Sequence, residues 1–181
     1  MNKIVKLTLV LFLVCAVVAG VLGGVYVLTA DTIEAQRAAK ENKAYATVLE
    51  SENGYAGVWF DAEKFPSIDR IAKANNGAGY VVVTTFSGAQ GSITMAVGVD
   101  KELKCTGISI IEHSETSGLG ANAASSAEVG VNFRAQFVGQ DESVALKKSG
   151  GEIDALTGAT ITSRSVTNAV AEAIRVVTSI S

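Results

Sequence analysis

The residues best suited to chemistry lie near the C-terminus, in the segment DALTGATITS that begins at Asp154. Thr160 carries a hydroxyl on a turn of small residues, six positions after Asp154, and a helical pattern follows at once. The start of a helix presents unpaired backbone N–H groups and the positive end of the helix dipole, and both favour an anion such as phosphate. The segment therefore predicts an anion site beside Thr160. The simpler alternative is that Thr157 or Thr160 only caps the helix.

A second polar, glycine-bearing segment, EHSETSGLG, precedes the first in the chain. Gly118 and Gly120 would let backbone amides approach a ligand closely. Leu119 offers an apolar surface to a planar ring, and Glu115 and Thr116 offer polar groups to the edges of such a ring. A Gly-x-Gly sequence is common in turns, so this segment taken alone is a weak indication of a ligand.

Both segments resemble motifs of the FMN-binding domain family, and the resemblance extends from about residue 79 to the end of the chain. DALTGATIT matches the flavin-attachment motif Asp-x-x-(Ser/Thr)-Gly-Ala-(Ser/Thr)-x-(Ser/Thr). ETSGLG is similar to the family's Glu-Thr-Pro-Gly-Leu-Gly loop, with Ser117 in place of proline. In that family a flavin transferase joins FMN to the last hydroxyl of the Gly-Ala-Thr triplet through a phosphoester bond. The resemblance therefore implies a covalent FMN on Thr160. It implies that further residues of the two motifs bind the cofactor: Asp154, Thr157, Gly158, Ala159, Thr162, Glu115, Thr116, Gly118, Leu119 and Gly120.

The patterning around these motifs predicts an α+β domain with an antiparallel sheet. Three β-branched runs separated by turn residues, 79–86, 92–99 and 103–111, indicate a three-stranded meander. We expect a helix over 31–52, a brief helix over 67–74 and a partly helical stretch over 121–134. Short extended pieces are expected at 57–60 and 144–146. After Thr162 apolar residues recur at helical spacing and predict a helix that packs on the sheet: Val166, Val170, Ala173, Ile174 and Val177.

An apolar stretch near the N-terminus predicts a membrane anchor. No charged residue occurs between Lys6 and Asp31, and a helix of that length, at about 1.5 Å per residue, crosses the hydrocarbon core of a bilayer. A cleaved signal peptide is the alternative, but its apolar core usually has about 7–15 residues and ends in a small-x-small site. Leu28-Thr29-Ala30 does not fit such a site well.

The charges that flank the apolar stretch predict its orientation. Lys3 and Lys6 precede it, so the positive-inside bias places the N-terminus in the cytoplasm and the domain on the other side of the membrane. The expected organisation is a transmembrane anchor with a short cytoplasmic N-terminus over 1–30, a helical connecting segment over 31–75 and the FMN-binding domain over 76–181.

The composition argues against several other classes of protein. With 15 basic and 18 acidic residues the chain has no basic surface for nucleic acid. One histidine, His113, and two distant cysteines, Cys15 and Cys105, argue against a metal or iron–sulfur site built by this chain. We interpret His113 as a loop residue, and the aromatic side chains of Trp59, Tyr80 and Phe137 as core filling rather than flavin stacking. No catalytic residue is predicted.

Within the family, the length and layout are most similar to the RnfG component of the Rnf electron-transport complex, a membrane ferredoxin:NAD oxidoreductase coupled to ion pumping. That resemblance implies an electron carrier of the inner (cytoplasmic) membrane that performs no substrate chemistry of its own. The implied partners are the other Rnf components, RnfA, RnfB, RnfC, RnfD and RnfE, above all the FMN of RnfD and the iron–sulfur cluster between RnfA and RnfE, with a flavin transferase during maturation. Three alternatives remain: the corresponding flavin-bearing component (the C component) of the sodium-pumping NADH:quinone oxidoreductase, an anchored non-redox interaction module and a free-standing flavin reductase.

Overall fold

A computed structural model describes residues 2–181, which form two compact units. The first helix, α1 (Lys3–Val48), belongs to the first unit as far as Lys40. The most apolar part of this helix has a mean hydropathy of 2.7, and none of its residues are buried within the protein. Among the described residues this is the one helix long and apolar enough to cross a membrane. An apolar surface of this length exposed on every side is suited to lipid rather than to water.

The second unit, Glu41–Ser181, contains a five-stranded sheet in the order β1-β2-β3-β4-β5, with every neighbouring pair antiparallel. The strands are β1 (Tyr55–Val58), β2 (Ile68–Ala74), β3 (Gly79–Ser87), β4 (Ser92–Asp100) and β5 (Cys105–His113). The predicted meander is confirmed as β3, β4 and β5. The α+β class is likewise confirmed. β1 overlaps the extended piece expected at 57–60 only at Gly57 and Val58, because the strand begins earlier, at Tyr55.

The helix predicted over 67–74 is wrong, because these residues form β2. The register between β2 and β3 shifts between Ile68 and Arg70, which leaves Asp69 as an extra residue in the strand. This bulge puts Ile68 and Ile71 into the same hydrophobic cluster although they are three residues apart, and three is a helical spacing. Ala72 and Ala74 then alternate normally and face the other cluster.

Helices cover both faces of the sheet. On one face the last helix, α3 (Thr160–Ile180), packs over a core that includes Met95 and Val97 of β4. Every apolar position predicted to face the sheet is buried: Val166, Val170, Ala173, Ile174 and Val177. A short helix, α2 (Glu128–Ala135), contributes Phe133 to the same core.

The opposite face of the sheet is covered by the end of α1, through Ala44, Tyr45 and Val48. The helix ends at Val48, whose carbonyl accepts a hydrogen bond from the Thr106 hydroxyl of β5. A Cβ on Gly98 would lie 2.4 Å from that carbonyl oxygen, so the sheet has a glycine where the helix terminus touches it.

The partly helical stretch expected over 121–134 is confirmed. It consists of a 3₁₀ turn at Gly120–Ala124 and α2, which are separated because Ser125 is extended.

One further expectation needs correction. The strand predicted at 144–146 is wrong. Leu146 forms only an isolated bridge with Ile153, and the chain between them closes a tight loop through the left-handed Gly150.

Candidate functional site

Three separate segments enclose a cavity of about 310 Å³ at the start of α3. They are the β3–β4 turn, the loop that follows β5, and the residues that lead into α3. The lining residues are Ala89, Gln90, Glu115, Thr116, Leu119, Gly120, Gly158, Ala159, Thr160, Ile161 and Thr162. The two motifs identified in the sequence are therefore neighbours in space, although more than one helix separates them along the chain.

The helix at this cavity begins without a side-chain cap. Its N-cap residue is Ala159, which is among the poorest N-cap residues, and no side-chain cap hydrogen bond is formed at this helix start. Neither Thr157 nor Thr160 acts as the cap, so the simpler interpretation of the attachment motif does not hold. Alanine in place of a capping residue usually lowers protein stability by about 0.5–2 kcal/mol, so this helix start lacks that stabilisation.

The first bond within the helix connects the N–H of Ser163 to the carbonyl of Ala159 over 2.9 Å. The N–H groups of Thr160, Ile161 and Thr162 precede that bond, so they lie at the positive end of the helix dipole. No acidic residue occupies the first turn of the helix. The electrostatics of the helix start therefore favour a negatively charged ligand at the cavity.

The loop before the helix is fixed by Ser163, which is fully buried. The Ser163 hydroxyl donates to the Ala159 carbonyl and accepts from the Leu156 N–H, both over 2.9 Å. Because these two hydrogen bonds fix Leu156 and Ala159, Thr157 and Gly158 between them form an exposed turn. Gly158 has a φ of 72°, a left-handed conformation that glycine adopts without strain.

The loop after β5 is organised by the side chain of Glu115, which is 9% exposed. One carboxylate oxygen, Oε1, accepts hydrogen bonds from the backbone N–H groups of Ala89 (2.8 Å) and Gln90 (3.1 Å). The other, Oε2, accepts from the Thr162 hydroxyl over 2.6 Å. One side chain therefore joins the β3–β4 turn and the first turn of α3 to its own loop.

Burial and hydrogen bonding act on this carboxyl in opposite directions. Burial raises the pKa of Glu115, because the charged form loses water. Hydrogen bonds to the charged form lower the pKa by more, and they come from Thr162, Gln90, Ala89 and Gly91. The net pKa lies below the ordinary value of 4.5, so the group is ionised at neutral pH.

Three of the predicted site residues do not line the cavity. Asp154 is exposed, and its carboxylate pairs with the Lys147 ammonium at 2.6 Å. The backbone N–H of Asp154 donates to the Gln136 side chain over 2.7 Å, which anchors the beginning of the attachment segment. Thr157 is in the exposed turn before α3, and Gly118, with a φ of 80°, forms the turn that positions Leu119.

Sequence reasoning missed several residues of the site. Ala89 and Gln90 belong to a segment that we interpreted only as a turn, and Ile161, 62% exposed at the cavity, falls between the motif threonines. Ser163 was placed in the helix without a role. The available signal was the compact series of small and polar residues from 87 to 91, which is longer than a two-residue hairpin needs.

The residues set aside in the sequence lie outside the cavity lining. His113 is exposed but is the last residue of β5, paired with Ile93, so its interpretation as a loop residue is wrong. Its Nδ1 accepts a hydrogen bond from the N–H of Glu115 over 3.3 Å. Phe137 is fully buried against Phe133, whereas Trp59 is 84% exposed and does not fill the core as predicted. Within residues 2–181, no cluster of three His, Cys, Asp or Glu side chains could hold a metal ion.

The cavity has the chemistry that FMN requires. The uncapped helix start suits the phosphate, and the half-buried Thr160 is the first residue of that helix. Leu119, 45% exposed, and Ile161 supply apolar surface for a planar ring system. The hydroxyls of Thr162 and Ser163 are buried and donate hydrogen bonds to other residues of the protein. Thr160, at the same helix start, lies at the cavity wall and is only half-buried.

Comparison with known proteins agrees with this assignment. The model of the FMN-binding domain family matches residues 88–175, and that of the RnfG N-terminal region matches residues 1–48. The G subunit of the ion-translocating oxidoreductase complex of Methanosarcina acetivorans is 31% identical over 96% of this chain and 94% of its own length. The G subunit of the proton-translocating ferredoxin:NAD(+) oxidoreductase complex of Clostridium ljungdahlii is 30% identical over 98% of this chain and 93% of its length. The G subunit of the Na(+)-translocating ferredoxin:NAD(+) oxidoreductase complex of Acetobacterium woodii is 34% identical over 94% of this chain and 90% of its length.

Proposed function

Because the chain belongs to the RnfG family, the G subunits of ion-translocating oxidoreductase complexes, we propose that it is a membrane-anchored flavin electron carrier within such a complex. The observation that supports this most strongly is the meeting of the two FMN-type motifs at one cavity, beside an uncapped helix start. Two motifs that are far apart in the sequence but line one cavity are placed to bind the same ligand. An interaction module would need only a folded surface.

FMN is attached covalently, through a phosphoester between its phosphate and the Thr160 hydroxyl. The residues at the site support this linkage in two ways. The N–H groups of the first turn favour phosphate at the position where Thr160 begins the helix. The neighbouring Thr162 hydroxyl is fully buried and donates to Glu115, so a transferase has no comparable access to it.

When bound, FMN supplies the redox chemistry, and the protein supplies binding, orientation and electrostatics. The first turn of α3 would hold the phosphate, and Leu119 and Ile161 would provide apolar contacts for the ring. Glu115 and Ser163 keep the surrounding segments in place from within the protein. This chain contributes no acid, base or nucleophile of its own to a substrate.

The anchor places this flavin at the membrane. The apolar part of α1 spans the bilayer as a single pass, and Lys3 and Lys6 keep the N-terminus in the cytoplasm, so the domain lies on the extracytoplasmic side of the cytoplasmic membrane. There it exchanges electrons with membrane-embedded redox centres of the partner proteins, above all RnfD and the pair formed by RnfA and RnfE. A flavin transferase attaches the cofactor during maturation.

Expression with the transferase, followed by a denaturing gel viewed under ultraviolet light, tests the attachment. The wild-type chain should give a fluorescent band, Thr160→Ala should give none, and Thr160→Ser should keep the band because it retains the hydroxyl. Peptide mapping then identifies the modified residue. A complex that turns over normally with an unmodified Thr160→Ala chain would contradict the redox role and favour the interaction module.

A further inference from the structure

The cavity contains a buried negative charge that no cation neutralises. Glu115 is 9% exposed, and the ion pairs found among residues 2–181 involve other carboxylates: those of Glu41, Asp141 and Asp154. Burying an ionised carboxylate is costly unless it is paired or fully hydrogen-bonded. Here the stabilisation comes from neutral groups, the backbone N–H donors of the β3–β4 turn and the Thr162 hydroxyl in the first turn of α3, so no counter-ion pairs with the carboxylate.

The surrounding backbone is shaped to this one side chain. A Cβ on Gly88 would lie 2.2 Å from Oε1 of Glu115, and one on Gly120 would lie 2.0 Å from Oε2. Any other residue at either position would displace the carboxylate. The absence of a side chain at Gly88 and Gly120 therefore leaves the space that the Glu115 carboxylate occupies.

A glutamine would satisfy most of the same contacts without the charge. Its oxygen would accept from Ala89 and Gln90, and its amide nitrogen would donate to the Thr162 hydroxyl, which accepts as readily as it donates. Hydrogen bonding alone therefore does not require a carboxylate at this position. What a carboxylate adds is a negative charge at the wall of the flavin cavity.

We propose that Glu115 is a positioning residue whose negative charge, not paired with a cation, also lowers the reduction potential of the bound flavin. This inference rests on the proposed function. Reduction adds negative charge to the cofactor, and a fixed negative charge at the cavity wall opposes that addition. Because Glu115 is only 9% exposed, water and salt screen its charge less than that of a surface carboxylate.

Spectroelectrochemical titration of the purified, flavin-loaded full-length chain measures this directly. Glu115→Gln removes the charge and keeps the shape, so the midpoint potential should rise. Glu142→Gln makes the same change in charge at an exposed position outside the cavity lining, and its potential should stay at the wild-type value. Intact mass and a thermal unfolding curve for each variant show whether it is loaded and folded.

A second variant keeps the test decisive if Glu115→Gln does not fold. Gln90→Lys brings an ammonium to the cavity without removing the backbone donors of Glu115, and it should raise the potential because it compensates the same charge. Unchanged potentials in both loaded variants would overturn the proposal. So would a folded Glu115→Gln chain that stays bare beside a loaded wild type, since the carboxylate would then be needed for attachment. A wild-type chain without flavin would instead refute the proposed function.

Discussion

The hydrogen bond between Thr162 and Glu115 gives the most specific prediction about the stability of the site. Thr162→Val replaces the hydroxyl by a methyl group of nearly the same volume, so it creates no cavity at this fully buried position. Valine and threonine have similar helix propensities. The substitution therefore removes one interaction, the 2.6 Å hydrogen bond to Oε2 of Glu115, and little else.

The expected loss follows from the charge of the acceptor. A hydrogen bond to a charged group contributes about 1.5–3 kcal/mol, compared with about 0.5–1.5 kcal/mol for a neutral pair. The backbone donors of Ala89 and Gln90 remain on Oε1, so the carboxylate is only partly deprived of partners. We expect Thr162→Val to lower the free energy of unfolding by about 2 kcal/mol at neutral pH.

Thr167→Val is the matched control on the same helix. Thr167 is also buried, and its hydroxyl donates over 2.8 Å to a backbone carbonyl, that of Ser163, rather than to a carboxylate. Its substitution should cost about 1 kcal/mol or less, with no dependence on pH. Thermal unfolding of the full-length chain in detergent, followed by circular dichroism, compares the two variants with the wild type.

The pH dependence separates the two variants further. The folded pKa of Glu115 is lowered, so its contribution to stability is complete above the ordinary value of 4.5 and is lost as the pH falls through the folded pKa. The Thr162→Val deficit should therefore be full at pH 7 and shrink below about pH 4.5. A deficit no larger than that of Thr167→Val, or one that does not change with pH, would refute the charged hydrogen bond.

Three further outcomes are expected. Gly120→Ala should destabilise the domain by about 1–3 kcal/mol because its Cβ would displace Glu115, whereas Gly57→Ala, with open space around it, should leave the stability unchanged; a Gly120→Ala chain as stable as Gly57→Ala would contradict this. In a Cys15→Ser background a maleimide at pH 8 should leave Cys105 unmodified until urea is added, since burial raises the pKa of its thiol to about 12; rapid labelling of the folded chain would contradict this. Alkaline carbonate should leave the full chain in the membrane pellet and release a chain that begins at Asp31; release of both would argue against the anchor.

The sequence was a good guide wherever a local pattern was sufficient. β3, β4 and β5 are β-branched runs bounded by turn residues, and the apolar face of α3 repeats at helical spacing. The prediction for β2 was wrong because the bulge at Asp69 changes the spacing of the buried residues from two to three. The bulge depends on the pairing with β3, which the sequence does not show. The predicted burial of Trp59 was wrong because Trp59 follows the edge strand β1, and the sequence does not show which residues pack beside an edge strand.

The site was predictable in its parts but not in its connections. The motif residues were recognised, and most of them line one cavity. The sequence assigned Glu115 to the edge of a ligand, whereas both of its oxygens accept hydrogen bonds from the protein itself. Such long-range bonds, between residues 26 and 47 positions apart, depend on the fold and leave no local pattern. Asp154 likewise pairs with Lys147 instead of facing the cavity.

The linkage at Thr160 is tested most directly by the intact mass of the chain produced together with a flavin transferase. The wild type should be heavier than its polypeptide by one FMN less one water, Thr160→Ser should carry the same increment, and Thr160→Ala should have none. A wild-type chain at its bare polypeptide mass, or an increment that survives Thr160→Ala, would contradict it.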